Sequence, residues 1–429
     1  MSSIGNVFVE RSADMNQGTI VGLDIGTTKI CTVVGQGEND ERLEIVGVGT
    51  VPARGLKEGV VVDVNDVASS IAESVQKAER MAGLAIDTVN AGVTGHHLVS
   101  VNSEGYVNIS GDNELITNED RERVLEEAKI AAKVPDGHYV LHNLPRQFLL
   151  DGQSGVQQPV GMHANQLEVQ THVVSGSLTF LTNLAECIKQ AGLNLETDGL
   201  VMEALAASEA LLSQDDKELG VAIVDIGGGT TDMALFVDGS ICQTTVLPVA
   251  GNHVTKDMSI GLRTPFESAE LLKHGRGCAS ASMVEEGELI GVTSIGSNSE
   301  RHLPRIVLAK IIEPRIRELF AFVRNALVSS PFGNKLAAGV VLTGGGSLLP
   351  GIQVLAHEIL DLPVRIGIPT ANGVVNETLK SPIYSTGLGL VRFAARYTKP
   401  NTKGIGIEAV TTWQRLIGSI RERVSTLMR

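Results

Sequence analysis

Two short stretches of the chain combine an acidic residue, glycine and threonine in the same order, one in each half. The first is VGLDIGTTKI, residues 21–30, and the second is AIVDIGGGTTD, residues 222–232. Glycine allows unusual backbone angles and close approach to a ligand, because no Cβ stands in the way. Consecutive exposed N–H groups in such a turn form a concavity that binds anions. The two stretches therefore predict a pair of phosphate-binding turns.

The side chains of these turns supply the other groups that a polyphosphate site needs. Threonine hydroxyls and one lysine add donors, and aspartates at strand ends can hold Mg²⁺ directly or through its waters. Without such a cation the carboxylates would repel the phosphates. The expected ligand-binding residues are Asp24, Gly26, Thr27, Thr28, Lys29, Gly227, Gly228, Gly229, Thr230 and Thr231. The expected Mg²⁺ ligands are Asp24, Asp225 and Asp232.

A third glycine turn, LTGGGSLLPG at residues 342–351, leads from a predicted strand into a predicted helix. Its backbone can approach a nucleoside closely, with a hydroxyl near the helix N-terminus. Ordinary hairpins would explain one such turn alone, but they do not explain the matched set. The first two turns lead into strands, and the sequence has no G-x-x-x-x-G-K-[ST], so this is not a P-loop. The expected contacts are Gly344, Gly345, Gly346 and Ser347.

The two acid–glycine turns lie in the same arrangement of predicted elements. Residues 19–51 contain three apolar, β-branched runs separated by turns, which predicts an antiparallel meander. Residues 221–249 repeat this pattern, with Asp238 and Gly239 as a strong hairpin signal. Such self-similarity predicts two duplicated halves that face each other across the phosphate.

The composition limits the class of protein. The chain has 429 residues, of which 43% are hydrophobic and 20% charged, so it is long enough for two to four globular domains. A net charge of −14 argues against nucleic-acid binding through the surface as a whole. The four cysteines are far apart, as expected for free thiols in a reducing compartment. No signal-peptide core or bilayer-spanning run is evident, so we expect a cytosolic protein or one held on the cytosolic face of a membrane.

The three motifs in this order resemble the phosphate 1, phosphate 2 and adenosine motifs of the actin, Hsp70 and sugar-kinase superfamily. Within it, the chain is similar over nearly its full length to the FtsA family of bacterial cell-division proteins. The supporting stretches include ARGLKEGVV, AGNHVTKD, SAELLKHGRGCA, IIEPR and VRIGIP. The resemblance implies an α/β, two-lobed actin/Hsp70/RNase H-like ATPase fold with duplicated halves. It also implies ATP in the cleft, at most slow ATP hydrolysis, and self-association into actin-like filaments.

The resemblance also divides the chain into subdomains. The first ATPase half is expected at 17–86 and 166–197, and an inserted α+β subdomain that binds later division proteins at 87–165. The second half is expected at 198–249 and 306–398, with a subdomain that holds the C-terminal tail of FtsZ at 250–305. A linker, 399–410, and a C-terminal amphipathic helix, 411–429, complete the chain.

Roles for side chains outside the glycine turns follow from the same resemblance. Glu270 and Lys273 match ribose or base contacts, although they could equally form an i,i+3 surface pair. Glu203 lies where related ATPases place a group near the attacking water, or it belongs to a capped core helix. Arg301 and Arg305 are expected to bind the acidic, apolar FtsZ tail through charge-assisted hydrogen bonds. The alternative for these two arginines is a solvated surface.

The last segment, TTWQRLIGSIRERVSTLMR, places apolar residues on one stripe of a helix. Such a helix can lie in a bilayer interface, where each basic residue near anionic lipid adds about 1 kcal/mol. A helix that packs on the body, or pairs with another chain, is the alternative. The resemblance favours reversible binding to the cytoplasmic face of the inner membrane at the division site, strengthened by polymerisation. The expected membrane contacts are Trp413, Arg415, Leu416, Ile417, Ile420, Arg421, Arg423, Val424, Leu427 and Met428.

Two other functions use the same superfold. A small-molecule kinase needs an aspartate base beside an acceptor hydroxyl, and the sequence shows none with a supporting signature. An Hsp70-like chaperone needs a β-rich peptide-binding domain after the ATPase, and few residues follow 398. The sequence therefore favours an ATP-binding protein that tethers FtsZ to the membrane, helps assemble the division ring and recruits later septation proteins, with the kinase as the alternative.

Overall fold

The computed structural model describes residues 18–37, 40–110, 114–296, 300–373 and 375–397. The predicted linker at 399–410 and the predicted amphipathic helix at 411–429 lie outside these ranges. The described residues form two α/β halves, each built around a five-stranded sheet. Among them, every helix is too short or too polar to serve as a membrane span.

The first half begins with the predicted antiparallel meander. Its elements are β1 (Thr19–Ile25), β2 (Lys29–Gln36), β3 (Glu44–Pro52), β4 (Leu56–Lys57), β5 (Val60–Val61), α1 (Val64–Ala82) and β6 (Thr88–Val93). Strand β2 pairs with β1 on one side and β3 on the other, which confirms the meander. Helix α1 begins after Asp63, whose carboxylate accepts hydrogen bonds from the amides of Asn65 and Asp66. The N-cap of α1 is therefore Asp63.

An inserted α+β subdomain follows β6. It consists of β7 (Leu98–Asn108), α2 (Asn118–Ala131), β8 (His138–Leu150), β9 (Gln153–Val156) and β10 (Gln166–Ser177). The strands form an antiparallel sheet in the order β7-β10-β8-β9, and α2 covers one face over a core that includes Val124 and Leu167. Thr117 caps α2 in a reciprocal arrangement with Asp120. Helix α3 (Leu178–Gln190) and strand β11 (Asn194–Met202) then return the chain to the first half.

The strand pairing corrects the predicted boundaries of the insertion, 87–165. Strand β6 was assigned to the insertion, but it lies parallel to β1 in the first-half sheet, whose order is β11-β6-β1-β2-β3. Strand β10 was assigned to the first half, but it is an interior strand of the inserted sheet. The predicted boundary at 197 cuts through β11, which pairs with β6. Local sequence shows that a run is a strand, whereas sheet membership depends on long-range pairing.

The second half repeats the meander with the Asp238–Gly239 turn, where both residues have positive φ angles (52° and 76°). Its sheet runs β14-β13-β12-β17-β18, and β12 to β14 pair antiparallel as predicted. Pro314 lies inside helix α8 (Arg305–Ser329), which continues on both sides of it. The elements are α4 (Glu203–Leu211), α5 (Gln214–Leu219), β12 (Val221–Ile226), β13 (Thr231–Val237), β14 (Ser240–Leu247), α6 (Gly251–Leu262), α7 (Phe266–Arg276), β15 (Leu289–Thr293), β16 (Glu300–Pro304), α8 (Arg305–Ser329), β17 (Val340–Thr343), α9 (Ile352–Leu360), β18 (Val364–Ile366), α10 (Asn376–Leu379) and α11 (Ser385–Tyr397).

Helices α4 and α11 pack closely between the two sheets and fix how the halves face each other. Gly389 of α11 lies against the main chain of α4, where a Cβ would come within 1.9 Å of the Ala206 carbonyl oxygen. On the other side of α11, a Cβ at Gly22 of β1 would lie 2.6 Å from the Gly387 carbonyl oxygen. Because these backbones touch, the ends of β1 and β12 are held opposite each other across one cleft.

Buried histidines join the inserted sheet to the rest of the molecule. His172 Nε2 lies 3.1 Å from Thr244 Oγ1 on β14, and its Nδ1 lies 2.8 Å from Asn102 Oδ1. The Met202 amide donates to His142 Nε2 at 3.1 Å. Burial lowers the pKa of His142 to about 4 and, together with nearby positive charge, the pKa of His172 to about 3. Both imidazoles are therefore neutral near pH 7.

Replacing His142 by glutamine should remove one source of acid sensitivity. The folded pKa of about 4 is below the unfolded value near 6.5, so between these pH values the unfolded chain binds more protons. The stability that neutral His142 supports is present above pH 6.5 and falls by about 2 kcal/mol between pH 7.5 and pH 5. Glutamine can accept the hydrogen bond from the Met202 amide, but it has no proton to gain or lose in this pH range. Urea unfolding at pH 7.5 and pH 5 should show that the wild type loses about 2 kcal/mol more unfolding free energy than the His142→Gln variant. Equal losses in the two proteins would contradict the prediction.

Candidate functional site

The three glycine turns line one cavity between the two halves. Its volume is about 740 Å³, within the range of small-molecule sites. The structure therefore brings together residues that are far apart in the sequence. The predicted residues on the cavity wall are Asp24, Gly26, Thr27, Thr28, Lys29, Glu203, Asp225, Gly227, Gly228, Gly229, Thr230, Glu270, Lys273, Gly344, Gly345 and Gly346.

The first two turns have matching geometry. The Gly26 amide donates to the Lys29 carbonyl at 3.0 Å, and the Gly227 amide donates to the Thr230 carbonyl, also at 3.0 Å. The intervening amides are those of Thr27, Thr28, Gly228 and Gly229. Within the part of the chain that the structure describes, these four amides donate no hydrogen bond. Each turn thus closes with one main-chain bond and leaves its central N–H groups available to an anion.

The glycines at the tip of the second turn allow the two turns to touch. A Cβ at Gly228 would lie 2.2 Å from Thr28 Cγ2, and one at Gly229 would lie 2.4 Å from Thr27 Oγ1. Neither glycine has a positive φ, so these two positions need glycine because of the close contact between the turns and not because of the backbone conformation. Gly344 in the third turn meets both requirements, because its φ is 79° and a Cβ would lie 2.2 Å from Asp225 Oδ1.

Two of the predicted metal ligands, Asp24 and Asp225, lie on the cavity wall. Asp24 forms an ion pair with Lys29. Burial lowers the pKa of Lys29, but the attraction of Asp24 outweighs it and the pKa is raised overall. Asp225 accepts a hydrogen bond from Thr386 Oγ1 at 2.9 Å, and burial raises its pKa to about 6 against the effect of that bond. Lys29 is thus already engaged with one carboxylate.

The other two carboxylates of the site differ in exposure to the cavity. Asp232 lies behind the wall, where Thr94 Oγ1 donates to its carboxylate at 2.7 Å, and burial raises its pKa to about 7. Glu203, the first residue of α4, is on the wall, and its buried Oε1 has no hydrogen-bond partner among the described residues. Burial and then the charge of Asp24 raise the pKa of Glu203 well above its usual value. At this end of the cavity, one lysine, Lys29, is surrounded by four carboxylates, those of Asp24, Asp225, Asp232 and Glu203. A divalent cation would relieve this excess of negative charge.

The carboxylates fit a cation that keeps its water. Among the residues described, no three His, Cys, Asp or Glu side chains converge as a ready-made metal cage. Mg²⁺ commonly binds one or two carboxylates, substrate phosphates and several waters. Asp24 and Asp225 at the strand ends, with the unpaired oxygen of Glu203 nearby on the wall, suit that mode. Asp232 would act through water or through Thr94.

Replacing Asp232 by asparagine should stabilise the ligand-free protein and weaken its response to Mg²⁺-ATP. The amide keeps an acceptor for Thr94 but removes a charge from the buried cluster, which should raise the free energy of unfolding by about 2 kcal/mol at pH 8. Urea unfolding with and without Mg²⁺-ATP measures both effects. Asp238→Asn on the exposed turn of the same hairpin is the control and should change stability by less than about 0.5 kcal/mol. A destabilised D232N protein would contradict the expectation.

At the far end of the cavity, Glu270 and Lys273 form an ion pair at 2.7 Å. Lys273 Nζ also donates to Thr255 Oγ1 at 2.8 Å and to the Gly251 carbonyl at 3.1 Å. Burial raises the pKa of Glu270, but Lys273 outweighs it and the pKa is lowered overall. The predicted i,i+3 pair exists, and it faces the cavity and holds α7 against α6 instead of lying free in solvent.

Two predicted contacts are absent from the wall. Thr231 Oγ1 donates to the Val249 carbonyl at 2.6 Å, and Ser347 Oγ donates to the Gly344 carbonyl at 2.7 Å. Both side chains are buried. Their hydroxyls stabilise the turns from behind, so neither side chain lies on the cavity wall where it was predicted. Thr231 was misplaced because adjacent strand residues point to opposite faces, and the sequence did not show which threonine points inward.

Other residues of the wall were not predicted. Thr94 follows β6 and lies 3.1 Å from Thr230 Oγ1, while Thr386 in α11 binds Asp225. Phe266 at the start of α7 and Leu348 after the third turn add exposed apolar surface beside Lys273. No local motif marks these residues, since each reaches the cavity only through the packing of distant elements.

The two predicted partner-binding arginines lie in the small subdomain formed by α6, α7 and the β15–β16 hairpin. Arg305 donates to Glu288 and to the Arg276 carbonyl, each at 2.8 Å. The Arg301 guanidinium donates to the Leu262 carbonyl. Neither is a purely solvated arginine, because each guanidinium already binds the subdomain.

Comparisons with known proteins agree along most of the chain. Residues 222–389 match the family described as cell division protein FtsA, and residues 95–175 match the SHS2 domain inserted in FtsA. The chain is 43% identical to cell division protein FtsA of Pseudomonas aeruginosa over 374 residues, which cover 87% of this chain and 88% of the relative. Identity to the Bacillus subtilis protein is 38% over 393 residues (92% and 87%), and to the Escherichia coli K12 protein 35% over 413 residues (92% and 97%).

Solved structures confirm the fold class. The PilM–PilN type IV pilus biogenesis complex contains a chain that aligns with a TM-score of 0.64 at 18% identity, covering 89% of this chain and 99% of its own. Ethanolamine utilization protein EutJ from Carboxydothermus hydrogenoformans aligns with a TM-score of 0.51 at 19% identity, covering 87% and 89%. The described residues have the two-lobed, actin-like ATPase fold with an α+β insertion. The insertion matched at 95–175 agrees with the strand pairing rather than with the predicted 87–165.

Proposed function

Because this chain belongs to the FtsA family of cell division proteins, we propose that it binds Mg²⁺-ATP between its two halves and polymerises on the cytoplasmic face of the inner membrane. There it tethers FtsZ filaments at the division site and recruits later septation proteins through the inserted subdomain. The main support for the nucleotide site is the set of four free amides on two facing turns that line one cavity.

The two turns would hold the phosphates from opposite sides. The amides of the first turn and of the second donate to phosphate oxygens, and the hydroxyls of Thr27, Thr28 and Thr230 add to them. Lys29 is placed to contact phosphate while it stays paired with Asp24. Because donors come from both halves, binding would hold the cleft closed, which makes the nucleotide a structural switch.

Mg²⁺ would be held by Asp24 and Asp225, with Asp232 reached through water. When bound, the cation neutralises phosphate charge and polarises the terminal phosphate. The chain itself keeps these carboxylates in place through Lys29, Thr386 and Thr94. Without the cation, the excess negative charge of the wall opposes phosphate binding, so affinity for ATP should depend strongly on magnesium.

The nucleoside end would lie between the third turn and α7. Gly344, Gly345 and Gly346 present main chain at the wall, so a base or ribose can approach closely. Glu270 lines the same space with its carboxylate paired to Lys273, and that carboxylate can accept hydrogen bonds from ribose hydroxyls. Phe266 and Leu348 would cover the base with apolar surface.

ATP hydrolysis would be slow. Glu203 is the candidate for positioning or deprotonating the attacking water, because its Oε1 lies on the cavity wall without a hydrogen-bond partner among the described residues. Its raised pKa keeps less of it ionised at neutral pH until a cation lowers that pKa, and among the described residues no second group holds it in place by a hydrogen bond. We therefore propose that nucleotide binding, more than turnover, controls assembly. Family membership leaves the small-molecule kinase alternative without support.

The FtsZ tail would bind at the small subdomain. Its carboxylates can compete with Glu288 for Arg305 and with the Leu262 carbonyl for Arg301. Ile260 and Ile295 are exposed and offer apolar contact. They lie near each other, because the Ile295 amide donates to the Arg263 carbonyl at the end of α6. Exchange of an internal partner for the tail keeps each guanidinium satisfied.

Calorimetric titration tests the nucleotide site directly. ATP titrated into the full chain should bind with one-to-one stoichiometry in magnesium, and at least about tenfold more weakly in its absence, because the carboxylates then repel the phosphates. GTP, which differs from ATP only in its base, is titrated under the same conditions as the control for recognition of the nucleoside end. Absence of ATP binding in magnesium, or an affinity that magnesium does not change, would contradict the proposal.

A further inference from the structure

We propose that the outer edge of β7 binds an extended, acidic segment of a partner protein, which adds to the inserted sheet as another antiparallel or parallel strand. This inference rests on the proposed recruitment of later division proteins by the inserted subdomain, and it specifies the surface and the chemistry of the partner. The occupant is identified only as an extended peptide that carries carboxylates.

The outer edge of β7 is long, and on one face of the strand the Ser100 and Asn102 side chains donate to the Thr244 and Cys242 carbonyls of β14. The strand lies at the end of the β7-β10-β8-β9 order, and within the described ranges no strand pairs with its outer side. It pairs with β10 from Leu98 to Asn108 without a register shift. Its sequence, LVSVNSEGYVN, contains no proline or lysine and one acidic residue. Proteins usually blunt exposed edges with such residues, bulges or short strands, so an unprotected edge of this length is a template for another strand.

A groove of about 590 Å³ runs along this edge. It is lined on β7 by the four consecutive residues from Val101 to Glu104. Because alternate side chains point to opposite faces of a sheet, contact with four in a row means that the groove reaches around the edge to both faces. Ala131, the last residue of α2, and Lys133 border one side, and Gln170 with Arg146 borders the other. The groove therefore offers space for a main chain and for its side chains on either face.

The charges of the groove favour carboxylates. Lys133 is exposed and makes no ion pair within the described residues. Arg146 lies over the Phe332 ring at 4.6 Å, and its buried Nε has no hydrogen-bond partner there. The one acid of the groove, Glu104, already accepts a hydrogen bond from Gln170 Nε2 at 2.8 Å. Two cations thus flank an edge whose own carboxylate is partly engaged, which suits Asp or Glu on an incoming strand.

Main-chain hydrogen bonds would give most of the affinity in this mode of binding, and side chains on the two faces would give specificity. The partner segment must lose its conformational freedom on binding, so a short peptide should bind weakly and reversibly. A second copy of this chain, pairing β7 with β7, is the competing occupant.

Fluorescence anisotropy with a designed probe tests the proposal on the full chain. The probe is a labelled ten-residue peptide that alternates valine or threonine with aspartate. One control peptide carries lysine for aspartate, and another carries N-methyl groups on alternate amides, which removes hydrogen bonding along one side. The protein variants are Lys133→Glu and, as the matched control, Lys129→Glu on the exposed face of α2, where Lys129 pairs with Glu126 at 3.2 Å.

The acidic probe should bind saturably to the wild type, at least about tenfold more weakly to K133E, and within about twofold of wild type to K129E. The lysine probe should bind more weakly, and the N-methylated probe should not bind. Equal binding of the N-methylated probe, or no effect of K133E, would overturn the proposal. So would edge-dependent dimers in sedimentation that exclude the probe. If the probe fails to bind while Mg²⁺-ATP and liposomes still bind the same protein, the edge proposal is wrong and the proposed function stands.

Discussion

A chain that ends at Thr398 should remain in the supernatant when it is sedimented with anionic liposomes and Mg²⁺-ATP, whereas the full chain should pellet. Residues 399–429 carry a net charge of +4, so residues 1–398 carry −18 and anionic lipid should repel them. The segment 411–429, outside the described residues, combines an apolar stripe with arginines. Those arginines can offset the repulsion locally, because charges are screened within about 8 Å at physiological salt.

Replacing Leu416 and Ile420 by glutamate should release the full-length chain nearly as completely as truncation. Each apolar side chain contributes about 1.5–3 kcal/mol when it leaves water, and the new charges face anionic lipid. The combined loss of at least about 3 kcal/mol corresponds to a reduction of more than 100-fold in binding. Co-sedimentation across a range of lipid concentrations measures it.

A matched pair of changes on the body separates loss of the apolar stripe from a simple gain of charge. Val328 and Val354 are exposed on α8 and α9, at 81% and 61%, and their replacement by glutamate adds the same two charges. That double variant should pellet like the wild type. If the truncated chain or the L416E/I420E protein pellets with the wild type, the membrane tether is not in this segment. Dependence of pelleting on ATP would link attachment to polymerisation.

Replacing Gly344 by alanine should remove ATP binding and destabilise the protein. The residue has a φ of 79°, and the new Cβ would lie 2.2 Å from Asp225 Oδ1 and 2.6 Å from the Ile226 carbonyl oxygen. The end of β12 and the third turn must move apart to relieve these overlaps. This movement displaces Asp225, a proposed magnesium ligand, as well as the third turn. The strained backbone and the overlap should cost about 2–4 kcal/mol of unfolding free energy.

Gly275→Ala is the control for this change. Gly275 lies in α7 close to the cavity, has no atom within 4 Å of an added Cβ and has no positive φ. Alanine there should leave ATP binding unchanged and increase stability by up to about 1 kcal/mol. Urea unfolding and thermal melting with and without Mg²⁺-ATP measure both variants. A G344A protein that keeps the full Mg²⁺-dependent rise in melting temperature would show that the third turn does not border the nucleotide.

The inserted subdomain shows where local pattern stops being informative. The residues of β6 were assigned to the inserted subdomain and strand β10 to the first half, and the strand pairing reverses both assignments. A β-branched run looks the same whichever partner it pairs with, and the partner of β6 is β1, more than sixty residues earlier in the chain. In contrast, the reciprocal capping of α2 by Thr117 and Asp120 needs only residues that are neighbours in the chain.

The sequence by itself determined the two meanders and the three glycine turns, because the strands, the turns and the residues that close them are contiguous. It also carried enough family likeness to indicate the actin-like fold. Only the tertiary structure decided that Thr231 and Ser347 point away from the cavity, that Asp232 lies behind Thr94, and that Thr386 holds Asp225. Those facts depend on how α4 and α11 pack the two halves together, and distances between residues far apart in the chain are set by that packing.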